Sequence, residues 1–240
     1  LTVEGLSGPA RLANAPRVEI TTLQSMVFLR TDSGFEARPL PPEAQFTAAF
    51  SPVVADFDND GVEDLVLSQN EFAVHSEESR QDAGFGLLLT GRGNGSFGAA
   101  SIGESGLAVF GEGRGAAAAD FNHDGRTDLV ICQNGAKPKL FLNQGKRRGL
   151  RVQLRGGEAN WEGVGAQIRL ELGGKLGPAR TIRLGSGFLS QNATTQVLGG
   201  SEKATALLVA WPGGGKERFK LTPGQSAITA VKEQGNAVAD

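Results

Sequence analysis

The sequence predicts an all-β protein in which part of a β-propeller is followed by a small β-sandwich. Three observations lead to this prediction. An acidic turn that runs into an apolar strand occurs twice, a second strand with a glycine-rich turn follows each copy, and the last third of the chain alternates short apolar segments with glycine turns. Repeated strand units are typical of propeller blades, whereas evenly spaced short strands are typical of sandwiches.

The acidic turns are Asp56–Asp64, named loop 1, and Asp120–Asp128, named loop 2. They begin 64 residues apart, and the surrounding ranges 53–70 and 117–134 share ten of eighteen residues. Each loop has oxygen-bearing side chains at positions 1, 3, 5 and 9 and glycine at position 6, a spacing that presents hard oxygen ligands to Ca²⁺. Such residues also form ordinary turns, but clustered carboxylates repel one another without a cation. The pattern therefore predicts two calcium sites.

The predicted ligands are four side chains and one main-chain carbonyl in each loop. They are Asp56, Asp58, Asp60, the Val62 carbonyl and Asp64 in loop 1, and Asp120, Asn122, Asp124, the Arg126 carbonyl and Asp128 in loop 2. Neither loop is an EF-hand, because position 12 is Leu67 or Ile131 where that motif needs a bidentate Glu. A short β-branched run follows each loop and predicts a buried strand in place of a helix.

Each repeat continues into a predicted hairpin, at Leu87–Phe97 after loop 1 and at Leu140–Gly145 after loop 2. Val27–Phe35 has the same pattern and predicts the end of a preceding unit. Two units and a fragment are too few to close a ring, since propellers need about four to eight blades. We therefore predict a partial preceding blade at 1–45 and two calcium-binding blades at 46–145.

Beyond about Gly145 the pattern changes to seven short predicted strands, which favour a β-sandwich at 146–234. These strands are Leu150–Leu154, Val164–Leu172, Ala179–Leu184, Thr194–Leu198, Ala204–Ala210, Arg218–Leu221 and Ala227–Val231. The remaining tail, 235–240, has little to bury and is expected to fray.

Composition argues against several classes of function. Lys+Arg 24 and Asp+Glu 26 nearly cancel, so no nucleic-acid partner is expected. No apolar stretch approaches the roughly 20 residues that span a bilayer, so no membrane span is expected. An export signal is expected to lie upstream or to have been removed, because the first residues do not resemble one.

The single cysteine, Cys132, is expected to be buried in its apolar strand.

The two acidic repeats, Asp56-Phe-Asp-Asn-Asp-Gly and Asp120-Phe-Asn-His-Asp-Gly, resemble the FG-GAP/VCBS repeats of β-propellers. The C-terminal segment is similar to the ASPIC/UnbV domain, and the residues that carry this similarity are Gly163–Ile168, Gly185–Asn192, Leu198–Gly200 and Val209–Gly213. Repeats followed directly by such a domain resemble the cartilage acidic protein family and its bacterial relatives. The resemblance implies secretion or surface display, calcium binding at both loops and a role in adhesion or matrix recognition, and it brings no catalytic residues.

Together these features predict a non-enzymatic repeat protein that is extracellular, at the cell surface or periplasmic. We expect calcium to be structural and the partner to be an extracellular protein or glycan. Trp161, in a predicted turn, and Trp211 are candidates for a ligand face, although a Trp before Pro212 is also typical of a packing corner. The alternative function is a propeller enzyme, a polysaccharide hydrolase or lyase, whose active site lies on blades outside this chain.

Overall fold

The structure is a computed structural model that describes residues 3–13, 15–16 and 18–232. Strands hold 41% of the chain and helices 9%, so the predicted all-β class is confirmed. Several sheets are present, and none of those described is closed; the propeller arrangement stays a prediction. The predicted tail at 235–240 lies outside the described residues. Within the described ranges, no helix is both long enough and apolar enough to cross a membrane.

The described residues form seventeen strands and three short helices. The strands are β1 Met26–Thr31, β2 Gly34–Pro39, β3 Ala49–Ala55, β4 Asp64–Gln69, β5 Leu87–Gly91, β6 Phe97–Ala99, β7 Glu112–Ala119, β8 Asp128–Asn134, β9 Ala136–Phe141, β10 Leu150–Arg155, β11 Gln167–Leu172, β12 Lys175–Leu176, β13 Arg180–Thr181, β14 Gln196–Leu198, β15 Ala204–Ala210, β16 Lys216–Lys220 and β17 Ala227–Val231. The helices are α1 Val3–Ser7, α2 Pro9–Leu12 and α3 Ile102–Ser105, and 3₁₀ turns span Pro42–Gln45, Glu158–Asn160 and Ser201–Lys203.

The first repeat forms an antiparallel sheet in the order β3-β4-β5-β6, named the first sheet. Loop 1 joins β3 to β4. The hairpins predicted at Val27–Phe35 and Leu87–Phe97 are confirmed as β1–β2 and β5–β6. Val27 of the first hairpin packs against a buried cluster that includes Leu67, Leu87 and Leu89. One face of the first sheet is thus covered by residues that precede it.

The second repeat forms a sheet of three strands in the order β7-β8-β9, named the second sheet. The hairpin predicted at Leu140–Gly145 is wrong, because the chain does not turn back after β9. Instead, Asn143 Nδ2 donates to Phe57 O (2.6 Å) and Thr127 O (3.1 Å), which anchors the chain to both loops. Gly149 N then donates to the Gly125 carbonyl (2.8 Å), just before β10 begins.

The two sheets pack face to face around a shared apolar cluster. Its buried members are Val53, Ala55, Val66, Leu107, Val109, Ala116, Ala118, Leu129 and Ile131. Side chains alternate along a strand, so β8 turns Leu129 and Ile131 to this cluster and Cys132 to the opposite face. Cys132 is exposed there, which corrects the prediction that it is buried.

The rest of the chain forms two sheets around one core. Strands β14-β10-β17 make the smaller sheet, in which β10 and β17 are parallel, and β12-β11-β15-β16, with β13 beside β11, make the larger. The core comprises Leu150, Val152, Leu154, Ala166, Ile168, Leu170, Ile182, Leu198, Leu207, Val209, Trp211, Leu221 and Ala230. The strand predicted at Ala179–Leu184 shortens to β13, since Leu184 is exposed and Gly185 turns the chain at φ +89°.

Candidate metal centre

Both loops fold onto the same frame of main-chain hydrogen bonds. In loop 1, Asp56 accepts the N–H of Asp60 at 3.1 Å and that of Gly61 at 2.9 Å. The equivalent bonds to Asp120 in loop 2 measure 2.9 and 3.2 Å. The glycine at position 6 is required in both loops, because its φ is +93° in loop 1 and +79° in loop 2. The repeated sequence therefore specifies one local structure twice.

The last carboxylate of each loop ties the loop to its sheet. Asp64 accepts the Phe57 N–H at 2.8 Å and the N–H of Gly91, at the end of β5, at 2.9 Å. Asp128 accepts the Phe121 N–H and the Asn143 N–H at 2.8 Å each. Position 9 is thus both a predicted ligand and a structural anchor.

Loop 1 brings three of its four predicted carboxylates together. Oxygens of Asp56, Asp58 and Asp64 lie within 4.8 Å of one another. Asp56 and Asp64 are 0% and 2% exposed, whereas Asp58 opens to solvent. Asp60 is exposed and lies outside this cluster, and its Oδ1 accepts the Val62 N–H at 2.7 Å. The spacing in the sequence predicted that Asp56, Asp58 and Asp64 lie together, but it did not predict that Asp60 lies apart from them.

Burial makes Asp56 and Asp64 reluctant to ionise. Burial, together with a smaller contribution from neighbouring carboxylates, raises the pKa of Asp56 to about 7 and that of Asp64 to about 6. For Asp56 this is opposed by the Gly61 N–H and by the Arg180 charge, which lower its pKa. Several carboxylates at one site cannot all ionise unless a positive charge joins them.

Neighbouring side chains provide little of that charge. The Arg180 guanidinium forms two bonds to the Glu63 carboxylate, at 2.6 and 3.1 Å. Arg147 Nη1 lies 3.8 Å from Asp58 Oδ2, and both side chains are more than half exposed. An ion pair so open to water stabilises little.

The donor set fits calcium. Ca²⁺ binds carboxylate oxygens at about 2.3–2.6 Å, so two oxygens on opposite sides of one ion are separated by up to about 5 Å. The three clustered carboxylates satisfy this limit. Asp60 and the Val62 carbonyl remain predicted ligands that would add to the coordination shell of the calcium ion.

Loop 2 has the same hydrogen-bonded frame as loop 1, but arginine side chains lie beside its carboxylates. The Arg126 guanidinium donates to Asp124 Oδ2, and Asn122 Nδ2 donates to the same oxygen at 2.9 Å. Arg151 Nε lies 3.4 Å from Asp120 Oδ2. Across the residues that the structure describes, the acidic cluster suited to a metal is the one in loop 1. Loop 2 offsets its charge with arginines, and calcium there stays a prediction.

Sequence analysis missed the part played by the Arg126 side chain, having used only its carbonyl. The signal was present, because Arg126 occupies the position that Val62 holds in loop 1. A cationic side chain at position 7 of an acidic loop can reach the carboxylate at position 5, which is the contact observed with Asp124.

Loop 1 also lies at a three-way junction. Asn59 Nδ2 donates to the carbonyls of Gly125 (3.4 Å) and Arg147 (3.3 Å), and the Gly200 N–H donates to Asn59 O (3.3 Å). A Cβ added at Gly199 would lie 2.0 Å from Asp56 Oδ2, so only glycine allows this approach. Loop 1 is therefore held between loop 2 and the C-terminal sheets.

The two tryptophans have different surroundings. Trp211 is 5% exposed and belongs to the C-terminal core, which agrees with the packing-corner alternative. Trp161 is 58% exposed, and the Arg155 guanidinium lies over its ring at 4.6 Å from the centroid. Of the two, only Trp161 is exposed enough to contact a ligand.

Comparison with known proteins identifies the C-terminal segment. Residues 156–237 match the family described as ASPIC and UnbV, which confirms the resemblance predicted for this segment and covers less than half of the chain. Strand β10 precedes the matched range but contributes Leu150, Val152 and Leu154 to the same core. No curated protein matches the chain. The FG-GAP/VCBS character of the repeats stays a prediction.

Proposed function

We propose that the chain is a non-enzymatic calcium-binding recognition module that works outside the cytoplasm, with a structural calcium ion at loop 1. The observation that carries the proposal is the cluster of Asp56, Asp58 and Asp64, two of them buried, with oxygens within 4.8 Å of one another. An ion that binds only the folded chain stabilises it by mass action.

The position of loop 1 supports a structural role for this ion. Loop 1 contacts loop 2 through Asn59 and the C-terminal sheets through Gly199 and Gly200. Neutralising the cluster would let Asp56 and Asp64 ionise without repulsion at this junction. Calcium would thus stabilise the contact between the repeats and the C-terminal sheets as well as the loop itself.

The finer parts of the proposal follow from the sequence. The two sheets are proposed to be FG-GAP/VCBS-type blades, and the partner an extracellular protein or glycan, in adhesion or matrix recognition. Extracellular modules bind calcium with a Kd of about 10⁻⁴ to 10⁻³ M, which suits a secreted, surface or periplasmic location. Trp161 is a candidate contact for the partner, because it is exposed.

The test is thermal unfolding of the whole chain in calcium-stripped buffer and across a calcium titration, with magnesium in parallel. At 10 mM calcium and such a Kd, mass action stabilises the fold by about 1.4–2.7 kcal/mol, which raises the midpoint by about 3–10 °C for a chain of this size. Asp58→Asn should raise the Kd for calcium at least about tenfold, because it removes one charge from the cluster.

Asp124→Asn is the matched control, because it makes the same change from Asp to Asn in loop 2 and leaves the loop 1 cluster intact. Calcium should still raise the unfolding midpoint of this variant. The calcium proposal fails if 10 mM calcium leaves the midpoint unchanged, if Asp58→Asn responds like the parent, or if magnesium acts equally well.

A further inference from the structure

The second sheet ends one strand earlier than the first. In the first sheet β5 pairs with β6, in the register Leu89↔Ala99, Thr90↔Gly98 and Gly91↔Phe97. In the second sheet β9 occupies the place of β5, and no strand among the described residues pairs with its outer edge. An unpaired edge presents a row of free N–H and C=O groups that can template another strand.

The repeat shows which groups of β9 face outward. Gly91 N donates to Asp64 Oδ1 in the first sheet, and Asn143 N donates to Asp128 Oδ1 in the second, so Asn143 is the equivalent of Gly91. In the first sheet, Ala100 N donates to Leu88 O at 2.9 Å and Arg92 N to Ser96 O at 3.0 Å, so residues 88, 90 and 92 direct their main chain to β6. Their equivalents 140, 142 and 144 therefore direct main-chain groups to the free edge.

A cavity of about 900 Å³ lies along this edge, between the two sheets. The first sheet contributes Val66, Leu88 and Thr90 to its wall, and the second contributes Leu129 and Phe141. This volume is in the range of ligand pockets, about 300–1,000 Å³. The cavity, named the cleft, is mostly apolar where it borders β9.

The first sheet also indicates what would fill the cleft. Phe97 and Ala99 of β6 point to the apolar cluster beneath the first sheet, beside Leu89. The equivalent of Leu89 is Phe141, which packs against the cluster between the two sheets. Side chains of a strand added to β9 in the same register would therefore point into the cleft.

We propose that the cleft binds an extended strand of a partner protein, which adds antiparallel to β9. The strand carries a bulky apolar residue and, two positions later, a small one, as β6 does with Phe97 and Ala99. Its amino end lies near Lys146 and Arg147, which line the end of the cleft and are exposed. Arg147 already lies 3.8 Å from Asp58, which also lines the cleft, so an acidic residue before the strand would complement the charge of Lys146. Recognition of this kind, by addition of a strand to a sheet edge, draws affinity from main-chain bonds and specificity from alternate side chains.

This inference deepens the recognition half of the proposed function and does not depend on calcium at loop 1. The probe is a fluorescent peptide with the sequence of Asn94–Ser101 preceded by two glutamates, added to the whole chain and followed by anisotropy. Binding is measured in calcium and in calcium-stripped buffer, beside the peptide-free calcium titration described above. If the peptide binds but calcium does not raise the unfolding midpoint, only the calcium proposal is contradicted. If calcium raises the midpoint but the peptide does not bind, only the strand-addition proposal is contradicted.

We expect saturable binding of one peptide per chain. Replacing the peptide's phenylalanine by serine, or its central glycine by proline, should weaken binding at least tenfold. Hydrogen exchange should slow at the amides of Leu140 and Leu142 when the peptide is bound. In the protein, Leu142→Pro removes an outward N–H and should weaken binding at least tenfold. The double substitution Lys146→Glu with Arg147→Glu should weaken it several-fold and tests the proposal if the proline variant does not fold.

Phe121→Ser is the control for non-specific adhesion. Phe121 is 66% exposed and lies outside the cleft, so strand addition leaves binding unchanged in this variant. The proposal is overturned by absence of saturable binding at millimolar peptide, by binding that needs Phe121 and not Leu142, or by slowed exchange elsewhere than β9. It is equally overturned if sedimentation shows that the peptide competes with a dimer formed through β9, since the occupant is then a second copy.

Discussion

Loops 1 and 2 share a sequence pattern and a hydrogen-bonded frame but differ in the source of positive charge. In loop 1, Asp56, Asp58 and Asp64 form a cluster that an external cation would complete. In loop 2 the Arg126 guanidinium bonds to Asp124, and Arg151 lies beside Asp120. A guanidinium is charged at every relevant pH, so two of the three carboxylate charges of loop 2 are offset by arginines.

The hydrogen-bonded frame of these loops forms independently of the source of positive charge. In both loops the carboxylate at position 1 accepts the N–H of the glycine at position 6, and the carboxylate at position 9 accepts the N–H of the phenylalanine at position 2, whatever balances their charge. The loops differ at two positions that set the charge: position 3 is a carboxylate in loop 1 and the amide of Asn122 in loop 2, and position 7 is Val62 in loop 1 and the cationic Arg126 in loop 2. An acidic loop motif therefore predicts a turn more securely than it predicts a metal.

The largest effect is expected when the loop 2 side chains at positions 3 and 7 are placed in loop 1. The double variant Asp58→Asn with Val62→Arg should lose the calcium-induced rise of about 3–10 °C, because the cluster loses one of its three carboxylates and the loop gains a guanidinium at position 7. Its midpoint in calcium-stripped buffer should exceed that of the parent, since repulsion within the cluster is relieved. Thermal unfolding with and without calcium measures both effects, and Asp58→Asn alone is the control. A double variant that still responds to calcium like the parent contradicts the charge-source explanation.

The reverse exchange should create a calcium site. Asn122→Asp with Arg126→Val gives loop 2 the charges of loop 1, and its affinity for calcium should rise at least about tenfold, or about 1.4 kcal/mol. Isothermal titration calorimetry should then show one more bound ion per chain than in the parent. Arg126→Lys keeps a positive charge at position 7 and should not gain this site. An unchanged stoichiometry in the double variant would mean that positions 3 and 7 do not decide metal binding.

A smaller effect is expected from pH. The folded chain without calcium holds a proton on Asp56, whose pKa is about 7, over a range in which the unfolded chain has released it. Because the folded-state pKa is raised, the free energy of unfolding should fall as pH rises from about 5 to about 7, by an amount of order 1 kcal/mol. Saturating calcium should remove this fall, since the bound ion favours the ionised cluster. Urea unfolding at both pH values, with and without calcium, measures the difference.

Asp56→Asn serves as the control for pH, because it removes the carboxyl whose pKa burial raises and leaves every other titrating group in place. Glu112 and Glu171 do not confuse the measurement: hydrogen bonds lower the pKa of each below its usual value, so their contributions change only in more acidic solution. A calcium-free parent whose stability rises between pH 5 and 7, relative to this control, would contradict the expectation.

Local pattern was enough to predict much of the fold. Strands β15 and β17 have the predicted bounds, Ala204–Ala210 and Ala227–Val231, because alternation of apolar residues sets a strand directly. Both loops have the predicted turn, since glycine and aspartate at fixed positions specify it. The cluster of Asp56, Asp58 and Asp64 was likewise predicted from spacing alone.

The parts that could not be predicted depend on contacts distant in sequence. The exposure of Cys132 depends on which face of β8 meets the first sheet. The missing hairpin after Leu140 depends on Asn143, which bonds to Phe57, 86 residues away. The importance of Gly199 depends on Asp56, which approaches it only in the folded chain. Spacing within one loop carries no information about such partners.

The solvent-facing position of Asp58 has a kinetic consequence. Gly199 lies directly against the Asp56 carboxylate. The Asp58 side chain, in contrast, is 54% exposed and, with Asp64, borders the cleft. An ion at loop 1 would therefore enter and leave past Asp58. A strand lying in the cleft would stand across that route and slow exchange in both directions, lengthening the residence time of the ion without requiring any change in its equilibrium affinity.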